Sequence, residues 1–302
     1  MLSAVRELGY RRNAVARNLR RAQTTLWAVI ISDIGNPFFT SMVRGIEDVA
    51  QTAGYSVVLC NSDEDPDKEA TYIAAALTEQ MAGVIISSSR RPKAAQALVE
   101  SGTPVVAIDR ELPGADVDTV LVANERGAVS GTRHLLDAGY GRVACITGPE
   151  EVSTARQRAD GYRRALAENG IPIDPELIYH ADFREHGGFV AMGALLELDS
   201  RPDAVFVTNN LMTVGAMECL VERGVSVPDE MGIVGFDDIP WAHLVRPSLT
   251  TIAQPTYELG RTAARLLLDR IATVPSKPST IVLPTDLRIR ESSMRRHRRG
   301  QS

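Results

Sequence analysis

The chain has 302 residues, of which 44% are hydrophobic and 24% are charged, as in an ordinary globular protein of one or two domains. No apolar run reaches the roughly 18 residues of a membrane helix, and the N-terminus lacks a stretch of signal-peptide type, so we expect a cytoplasmic protein without a membrane partner. The net charge of −5 is uneven, because residues 1–25 and residues 288–302 each contain six Arg and one Glu. This predicts that contact with a polyanion is confined to the two ends.

From residue 27 onward, short β-branched runs alternate with amphipathic segments. The runs lack strict polar alternation, which is typical of strands buried on both faces. They lie at 27–32, 55–60, 83–88, 104–109, 117–123, 142–147, 177–182, 204–209, 232–237 and 250–254. The amphipathic segments predict helices at about 38–53, 66–81, 92–101, 125–138, 154–169, 187–199, 211–223 and 256–273. This alternation predicts parallel sheets with right-handed crossovers.

Ten strands are compatible with one wide sheet or with two smaller ones. We favour two, because three stretches have the features of passages between lobes, namely those near 117–125, 250–256 and 284–288. The predicted fold is therefore α/β and two-lobed, each lobe being a parallel sheet flanked by helices. We expect one lobe at about 26–123 and 255–284, the other at about 124–254 and 285–292, and a basic tail at 293–302.

Polar and aromatic side chains follow most of the predicted strands. In an open parallel sheet, ligands bind beyond the carboxyl ends of the strands. Carboxylates, carboxamides and Arg suit hydroxyl groups, which both donate and accept hydrogen bonds, and aromatic rings cover the apolar face of a sugar or stack on a base. The candidates are Asn36, Phe38, Phe39, Asp109, Arg110, Arg156, Arg158, Asn209, Asn210, Asp237, Asp238 and Gln254.

Several of these residues also have a purely structural interpretation. The alternatives are a local salt bridge for Asp109 and Arg110, core packing for Phe38 and Phe39, a helix cap for Asn209 and a turn for Asp237. Their recurrence at successive strand ends favours a ligand site.

Catalytic and cofactor motifs are absent from the sequence. It contains no GxGxxG, GxxxxGK[ST], GxSxG or HExxH. Among the scattered histidines, His243 is the best candidate for the edge of a site, since it is close in sequence to Asp237. The cysteines, Cys60, Cys145 and Cys219, lack CxxC spacing and are interpreted as buried free thiols. We therefore expect no enzyme, cofactor or metal site.

Several long segments match one family in the same order: ELGYRRNAVARNLR, DIGNPFFTSMVRGIEDVAQTAGY, AIDR, ITGPEEVSTARQRADGYRRALAENGI, FVTNNLMTVGAMECL, VPDEMGIVGFDDIPWAHLVRPSLTTIAQPTYELG and RIRESS. In these segments, which extend over essentially the whole chain, it resembles the lac-repressor (LacI/GalR) family of bacterial transcription regulators and the related periplasmic pentose-binding proteins. The resemblance implies a ligand-responsive regulator, acting as a repressor, whose sensor closes on a sugar-like effector in a homodimer that binds operator DNA. The alternative is a solute-binding protein of a sugar uptake system, which would need export.

The resemblance also implies roles within the site. The pair Phe38–Phe39 matches rings that sandwich the sugar, and Asp109–Arg110 matches a dipeptide that binds hydroxyls. The other matched positions are Arg158, Phe183, Asn209, Asp237 and Gln254. Two positions depart from the pattern: Ser87 stands where related pentose binders often have a longer amide, and Asn210 replaces a frequent Asp. We expect the change at Asn210 to concern the start of a helix and to have little effect on the ligand.

Residues 1–25 resemble the end of a DNA-binding head followed by a hinge helix. Residues 1–8 match only the third helix of the head, whose second helix enters the major groove in the family. Residues 13–21 match the hinge helix, in which Leu19 would be a minor-groove wedge with Arg17, Arg20 and Arg21 near phosphates. A solvated basic linker is the alternative. We expect the sequence to begin inside a longer gene product or to have been trimmed.

Overall fold

The computed structural model of the protein describes residues 24–89, 93–112, 114–272 and 277–295. The strands are β1 (Leu26–Ile31), β2 (Ser56–Asn61), β3 (Gly83–Ile86), β4 (Val105–Ile108), β5 (Asp118–Val122), β6 (Val143–Thr147), β7 (Ile178–His180), β8 (Ala204–Val207), β9 (Gly232–Phe236), β10 (Thr250–Ala253), β11 (Thr280–Leu283) and β12 (Asp286–Arg288). The helices are α1 (Pro37–Thr52), α2 (Pro66–Thr78), α3 (Lys93–Glu100), α4 (Asn124–Asp137), α5 (Ser153–Glu168), α6 (Glu185–Leu196), α7 (Asn210–Glu222) and α8 (Thr256–Ala272).

The strands form two six-stranded sheets. The first has the order β11-β5-β4-β3-β1-β2 and the second the order β12-β10-β9-β8-β6-β7. All pairs are parallel except β10 with β12. The chain passes from one sheet to the other after β5, after β10 and between β11 and β12. The carboxyl ends of the parallel strands in both sheets are thus available for a shared site.

The predicted two-lobed α/β fold is confirmed, and the predicted helices and strands lie within a few residues of their expected bounds. β11 and β12 were not predicted as strands. β11 has four residues and β12 has three, and each lies at the edge of its sheet. In both strands, exposed and partly buried residues alternate. Their sequences therefore lack the continuous apolar pattern of the buried strands.

Local signals explain where the first helix starts and stops. The Asn36 side chain caps α1 by accepting a hydrogen bond from the Phe38 backbone N–H, and Pro37 occupies the first turn. After the last turn, Gly54 takes a φ of +82°, which a side chain would disfavour. The Asn36 cap therefore fixes the start of α1, which has Phe38 and Phe39 in its first turn.

Each sheet is covered by an apolar cluster on both faces. α1 packs against α8 at two glycines, Gly45 and Gly260. A Cβ atom on Gly45 would lie 2.2 Å from the Tyr257 carbonyl oxygen, and one on Gly260 would lie 2.0 Å from that of Met42. The two helix backbones therefore approach too closely for any side chain at these positions.

The last residues that the structure describes contact the second sheet. Ser293, the first residue of the predicted basic tail, is fully buried, and its hydroxyl lies 2.7 Å from His134 Nε2 and 2.6 Å from Thr250 Oγ1. Residues 296–302 of that tail lie outside the described residues. None of the described helices is both long and apolar enough to cross a membrane.

Candidate functional site

A cleft lies between the two lobes, beyond the carboxyl ends of the strands, with about 470 Å³ of empty space that includes its opening to solvent. All of the predicted ligand-binding residues line it: Phe38, Phe39, Asp109, Arg110, Arg158, Phe183, Asn209, Asp237 and Gln254. The structure thus brings the predicted residues together, and their ligand-binding role stays a prediction.

The cleft also contains Asn36, which the sequence placed after the first strand, and residues that the sequence did not point to, namely Asp33, Glu64, Thr154 and Arg184. Most follow a strand or begin a helix, so the same strand-end signal applies to them. His243, the predicted edge residue, lines an adjoining groove that shares Phe38, Asp237 and Gln254 with the cleft.

Strained backbone is concentrated at this cleft. Asp109, Phe183 and Asp237 have φ values of 68°, 67° and 74°, and Glu64 has 58°. Positive φ is uncommon for non-glycine residues, especially for an aromatic one, and it persists where surrounding contacts hold it. All four of these residues line the cleft.

Arg158 is held rigidly in the second lobe. Its Nε donates to Asn124 Oδ1 at 2.8 Å, and its Nη1 donates to the Thr208 carbonyl oxygen at 2.7 Å. Its guanidinium also lies 3.9 Å from the centroid of the Phe236 ring. The closest carboxylate is Asp237, at 3.9 Å between Nη1 and Oδ2. Arg158 is therefore a preorganised positive charge beside Asp237.

Arg110 is the corresponding group in the first lobe. It forms a bidentate pair with Glu64, at 2.9 and 2.6 Å, and donates to the Ser88 carbonyl oxygen at 3.2 Å. Its Nε lies 3.5 Å from Asp109 Oδ2, so the local salt bridge considered from sequence is present. The Ser87 hydroxyl donates to Asp109 at 3.3 Å.

Burial changes the titration of the two central carboxylates. Desolvation raises the pKa of Asp109, although the charges of Arg110 and Arg158 oppose this shift. Desolvation also raises the pKa of Asp237, against the charge of Arg158 and a hydrogen bond from Gln254. Both carboxylates therefore gain from a ligand that donates hydrogen bonds to them.

The aromatic pair corrects one detail of the predicted site. Phe38 and Phe39 contact each other edge to face, with ring centroids 4.9 Å apart and an interplanar angle of 82°. No ligand ring fits between them, so they cannot sandwich a sugar between themselves. Both belong to the apolar core of the first lobe and present only part of their surface to the cleft. Phe183 adds an aromatic ring from the second lobe.

Asn209 has the capping role considered from sequence. Its Oδ1 accepts from the Met212 backbone N–H at 2.8 Å at the start of α7, and its Nδ2 donates to the Phe183 carbonyl oxygen at 3.0 Å. The side chain thus connects α7 to the strained residue Phe183 while it lines the cleft.

Two polar atoms of the cleft residues are buried without a hydrogen-bond partner, Arg110 Nε and Gln254 Oε1. The first is a donor and the second an acceptor. The amide nitrogen of Gln254 is occupied, since it donates to Asp237 Oδ1. Other buried side-chain atoms of the described residues also lack a partner, such as Trp27 Nε1 and Thr208 Oγ1, but these two belong to residues that line the cleft, where a ligand can supply the partner.

No cluster of potential metal ligands occurs in the described part of the chain. The predicted DNA-contacting residues, Arg17, Leu19, Arg20 and Arg21, lie outside the described residues.

A family profile for a periplasmic binding protein-like domain matches residues 132–293. The ribose operon repressor of Halalkalibacterium halodurans is 36% identical over 97% of this chain and 87% of its own length. The repressor CytR of Escherichia coli is 37% identical over 89% of this chain and 79% of its own length.

Solved structures agree with these sequence relatives. A LacI family transcriptional regulator from Enterococcus faecium with bound ribose has a TM-score of 0.80 and 31% identity, and the match covers 88% of this chain and 98% of that one. The complex of the transcriptional regulator CelR with cellobiose has a TM-score of 0.82 and 33% identity over 96% and 88% of the two chains.

Proposed function

We propose that this chain, which belongs to the LacI family of transcription regulators, is the sensor part of a repressor that responds to a neutral, hydroxyl-rich effector bound between its lobes. Two relatives at 36% and 37% identity are repressors, and one of them is named for a ribose operon. Similar structures hold ribose and cellobiose. These likenesses support a sugar or a sugar-containing molecule as the effector.

The observation that carries the proposal is the pair of unsatisfied groups in the cleft. A sugar hydroxyl both donates and accepts, so hydroxyls of one ligand can accept from Arg110 Nε and donate to Gln254 Oε1. Asp109 and Asp237, whose pKa values burial raises, are further acceptors for hydroxyl protons. A polyol thereby relieves the desolvation of groups contributed by both lobes.

The balance of charge supports a neutral effector. Each guanidinium in the cleft faces a carboxylate: Arg110 faces Glu64, Arg158 lies beside Asp237, and Arg184 bonds to Asp33. No described cleft arginine is left over to neutralise a phosphate, and Asp109 adds a further carboxylate. Phosphorylated sugars are therefore expected to bind poorly.

The mechanism that we propose is closure of the two lobes around the effector. We assign residues 26–123 and 255–284 to one lobe and 124–254 and 285–292 to the other. A ligand that contacts both lobes stabilises the closed state by its differential affinity, which typically amounts to 1–3 kcal/mol of coupling. In a homodimer, this closure would alter the spacing of the two DNA-binding segments, with residues 1–25 of each chain directed to operator DNA.

The rival interpretation, a solute-binding protein of an uptake system, receives less support. The two relatives named above, matched over 87% and 79% of their own lengths, are repressors. Enzymatic activity is not part of the proposal, since the named relatives are regulators.

A thermal-shift screen tests the proposal, with D-ribose, D-xylose, D-glucose and cytidine as neutral probes and ribose 5-phosphate as the charged counterpart. A ligand at 100 times its dissociation constant should add about 2.7 kcal/mol to the free energy of unfolding. We expect at least one neutral probe to raise the melting temperature and ribose 5-phosphate to have a much smaller effect. A phosphorylated sugar that stabilises more than its neutral form would contradict the proposed ligand class.

A further inference from the structure

Asn36 and Asn210 hydrogen-bond to each other directly across the cleft. Asn210 Nδ2 donates to Asn36 Oδ1 at 2.8 Å. Asn36 precedes α1 in the first lobe, and Asn210 begins α7 in the second. Both are almost completely buried, with relative exposures of 7% and 1%. The contact thus joins two helix starts that belong to different lobes.

The orientation of both amides is fixed by the backbone. Asn36 Oδ1 also accepts from the Phe38 N–H at 2.9 Å, which is the cap of α1. Asn210 Oδ1 accepts from the Leu211 N–H at 2.7 Å, which leaves its Nδ2 to face Asn36. Neither amide can rotate by 180° without losing a backbone hydrogen bond. The pair therefore requires a donor at position 210, and an acceptor there would face the oxygen of Asn36.

The pair is connected to the effector site on both sides. Asn36 lines the cleft together with Phe38, whose backbone N–H donates to the Asn36 side chain. Asn210 follows the cleft residue Asn209, and its backbone N–H is hydrogen-bonded to Asp237. Separation of the lobes would break this contact and leave the buried atoms to find other partners.

A second contact across the cleft behaves differently. Arg184 of the second lobe bonds to Asp33 at 2.9 Å and to Asp63 at 2.7 Å in the first. The side chains of Arg184 and Asp63 are 39% and 41% exposed, so water screens this ion pair. The buried pair is the more demanding of the two, because water cannot replace its hydrogen bond while the lobes stay together.

We propose that the Asn36–Asn210 hydrogen bond is a closure latch, which sets the equilibrium between open and closed lobes and thereby the affinity for the effector. The proposal rests on the proposed sensor function for its consequence, and the latch itself acts without a ligand. The effector binds tightly only to molecules with closed lobes. Loss of the hydrogen bond therefore lowers the apparent affinity in proportion to the decrease in the closed fraction. Asn210 is accordingly a positioning residue.

The decisive variant is Asn210→Asp, which keeps the size and shape of the side chain and replaces the donor by an acceptor. An acidic residue in the first turn of a helix is favoured by the helix dipole, and opening of the lobes would hydrate the new carboxylate, so we expect α7 to stay folded. Asn210→Ala removes the donor without adding charge. Gln51→Glu makes the same change from amide to carboxylate at an exposed position of α1 and is the matched control.

The distance between the lobes is measured by pulsed electron paramagnetic resonance, with spin labels at Asp67→Cys and His186→Cys. These exposed positions lie close to the ion pair of Asp63 with Arg184, on opposite sides of the cleft. The native cysteines are buried. Without any sugar, Asn210→Asp and Asn210→Ala should lengthen the distance or add a longer population, whereas Gln51→Glu should match the unsubstituted protein.

Affinity for D-ribose is then measured by calorimetry, and both Asn210 variants should bind roughly 10-fold more weakly. The double variant Asn36→Ala with Asn210→Asp is compared with Asn36→Ala alone. Because Asn36→Ala already removes the hydrogen bond, the two proteins should have the same distance between the lobes. Unchanged distances in well-folded Asn210 variants would overturn the latch, whatever the sugar. Longer distances in a protein that binds none of the sugars would support the latch and contradict the proposed effector.

Discussion

Arg110 and Glu64 form a bidentate ion pair in the wall of the cleft, with Nη–Oε distances of 2.9 and 2.6 Å. Their side chains are only 8% and 16% exposed. Removal of one partner of a shielded pair leaves a buried charge that is poorly compensated. We therefore expect Glu64→Ala to lower the free energy of unfolding by about 3 kcal/mol in urea titrations.

The matched control for that prediction is the exposed pair of Arg223 with Glu197, whose side chains are 50% and 69% exposed. Glu197→Ala should change the free energy of unfolding by less than about 1 kcal/mol. Equal effects of the two substitutions would mean that Arg110 does not depend on Glu64 for its burial.

Effector affinity should depend on pH through Asp109 and Asp237. Burial raises both pKa values, so these groups take up protons at a higher pH than ordinary carboxyls. The ionised form accepts a stronger, charge-assisted hydrogen bond from a hydroxyl, so affinity should be highest above the raised pKa values and should fall as the pH drops through them. Protonation removes the cost of a buried charge, so the contribution of these two groups to the stability of the free protein changes in the opposite direction.

The measurement for this prediction is the dissociation constant of a bound sugar between pH 7 and about pH 4.5. Asp237→Asn should flatten part of the pH dependence, since it removes one of the two titrating groups. An affinity that stays constant over this range would contradict the prediction that the two carboxylates accept hydrogen bonds from the ligand.

Close packing of α1 against α8 makes a further prediction. A methyl group at Gly45 would lie 2.2 Å from the Tyr257 carbonyl oxygen, so Gly45→Ala must push the two helices apart. We expect a loss of about 1–3 kcal/mol in the free energy of unfolding. At Gly141 no atom lies within 4 Å of the added Cβ, and Gly141→Ala should stay within about 0.5 kcal/mol of the unsubstituted protein. Comparable losses at both positions would contradict the packing argument.

The thiols should be unreactive while the protein is folded. Cys145 is completely buried, and burial raises its pKa to about 12. Burial also raises the pKa of Cys60 and of Cys219. A thiol reagent such as dithionitrobenzoate should therefore react slowly with the native protein. In denaturant it should react rapidly with all three cysteines. Rapid reaction of a native thiol would contradict the prediction of buried free cysteines.

The fold was predictable because its strands and helices carry strong local signals. Runs such as 204–207 are continuously apolar, and Gly54 ends α1 where a positive φ is needed. The position of the cleft followed from the rule that parallel strands present their carboxyl ends together. β11 and β12 escaped prediction because short edge strands lack a continuous apolar pattern.

The parts of the site that escaped prediction depend on how the lobes meet. Asn210 was expected to matter only for the start of a helix, yet its side chain bonds to Asn36, 174 positions earlier in the chain. The bonds of Arg184 to Asp33 and Asp63 have the same origin. Likewise, the edge-to-face contact of Phe38 with Phe39 depends on side-chain rotamers, which a sequence pattern does not specify.

Calorimetric titration of the sugars into the unsubstituted protein and into Asp237→Asn decides whether this cleft binds a polyol. Asp237 is buried in the cleft, bonded to Gln254 and close to Arg158, and the Asn variant keeps its shape and tolerates its positive φ. We predict saturable binding of a neutral sugar or nucleoside, with one ligand per chain and a roughly 10- to 100-fold weaker affinity in the variant, as expected for the loss of a charge-assisted hydrogen bond. Binding that is undiminished in Asp237→Asn, or no binding of any neutral polyol to the folded protein, would contradict a polyol sensor built on this cleft.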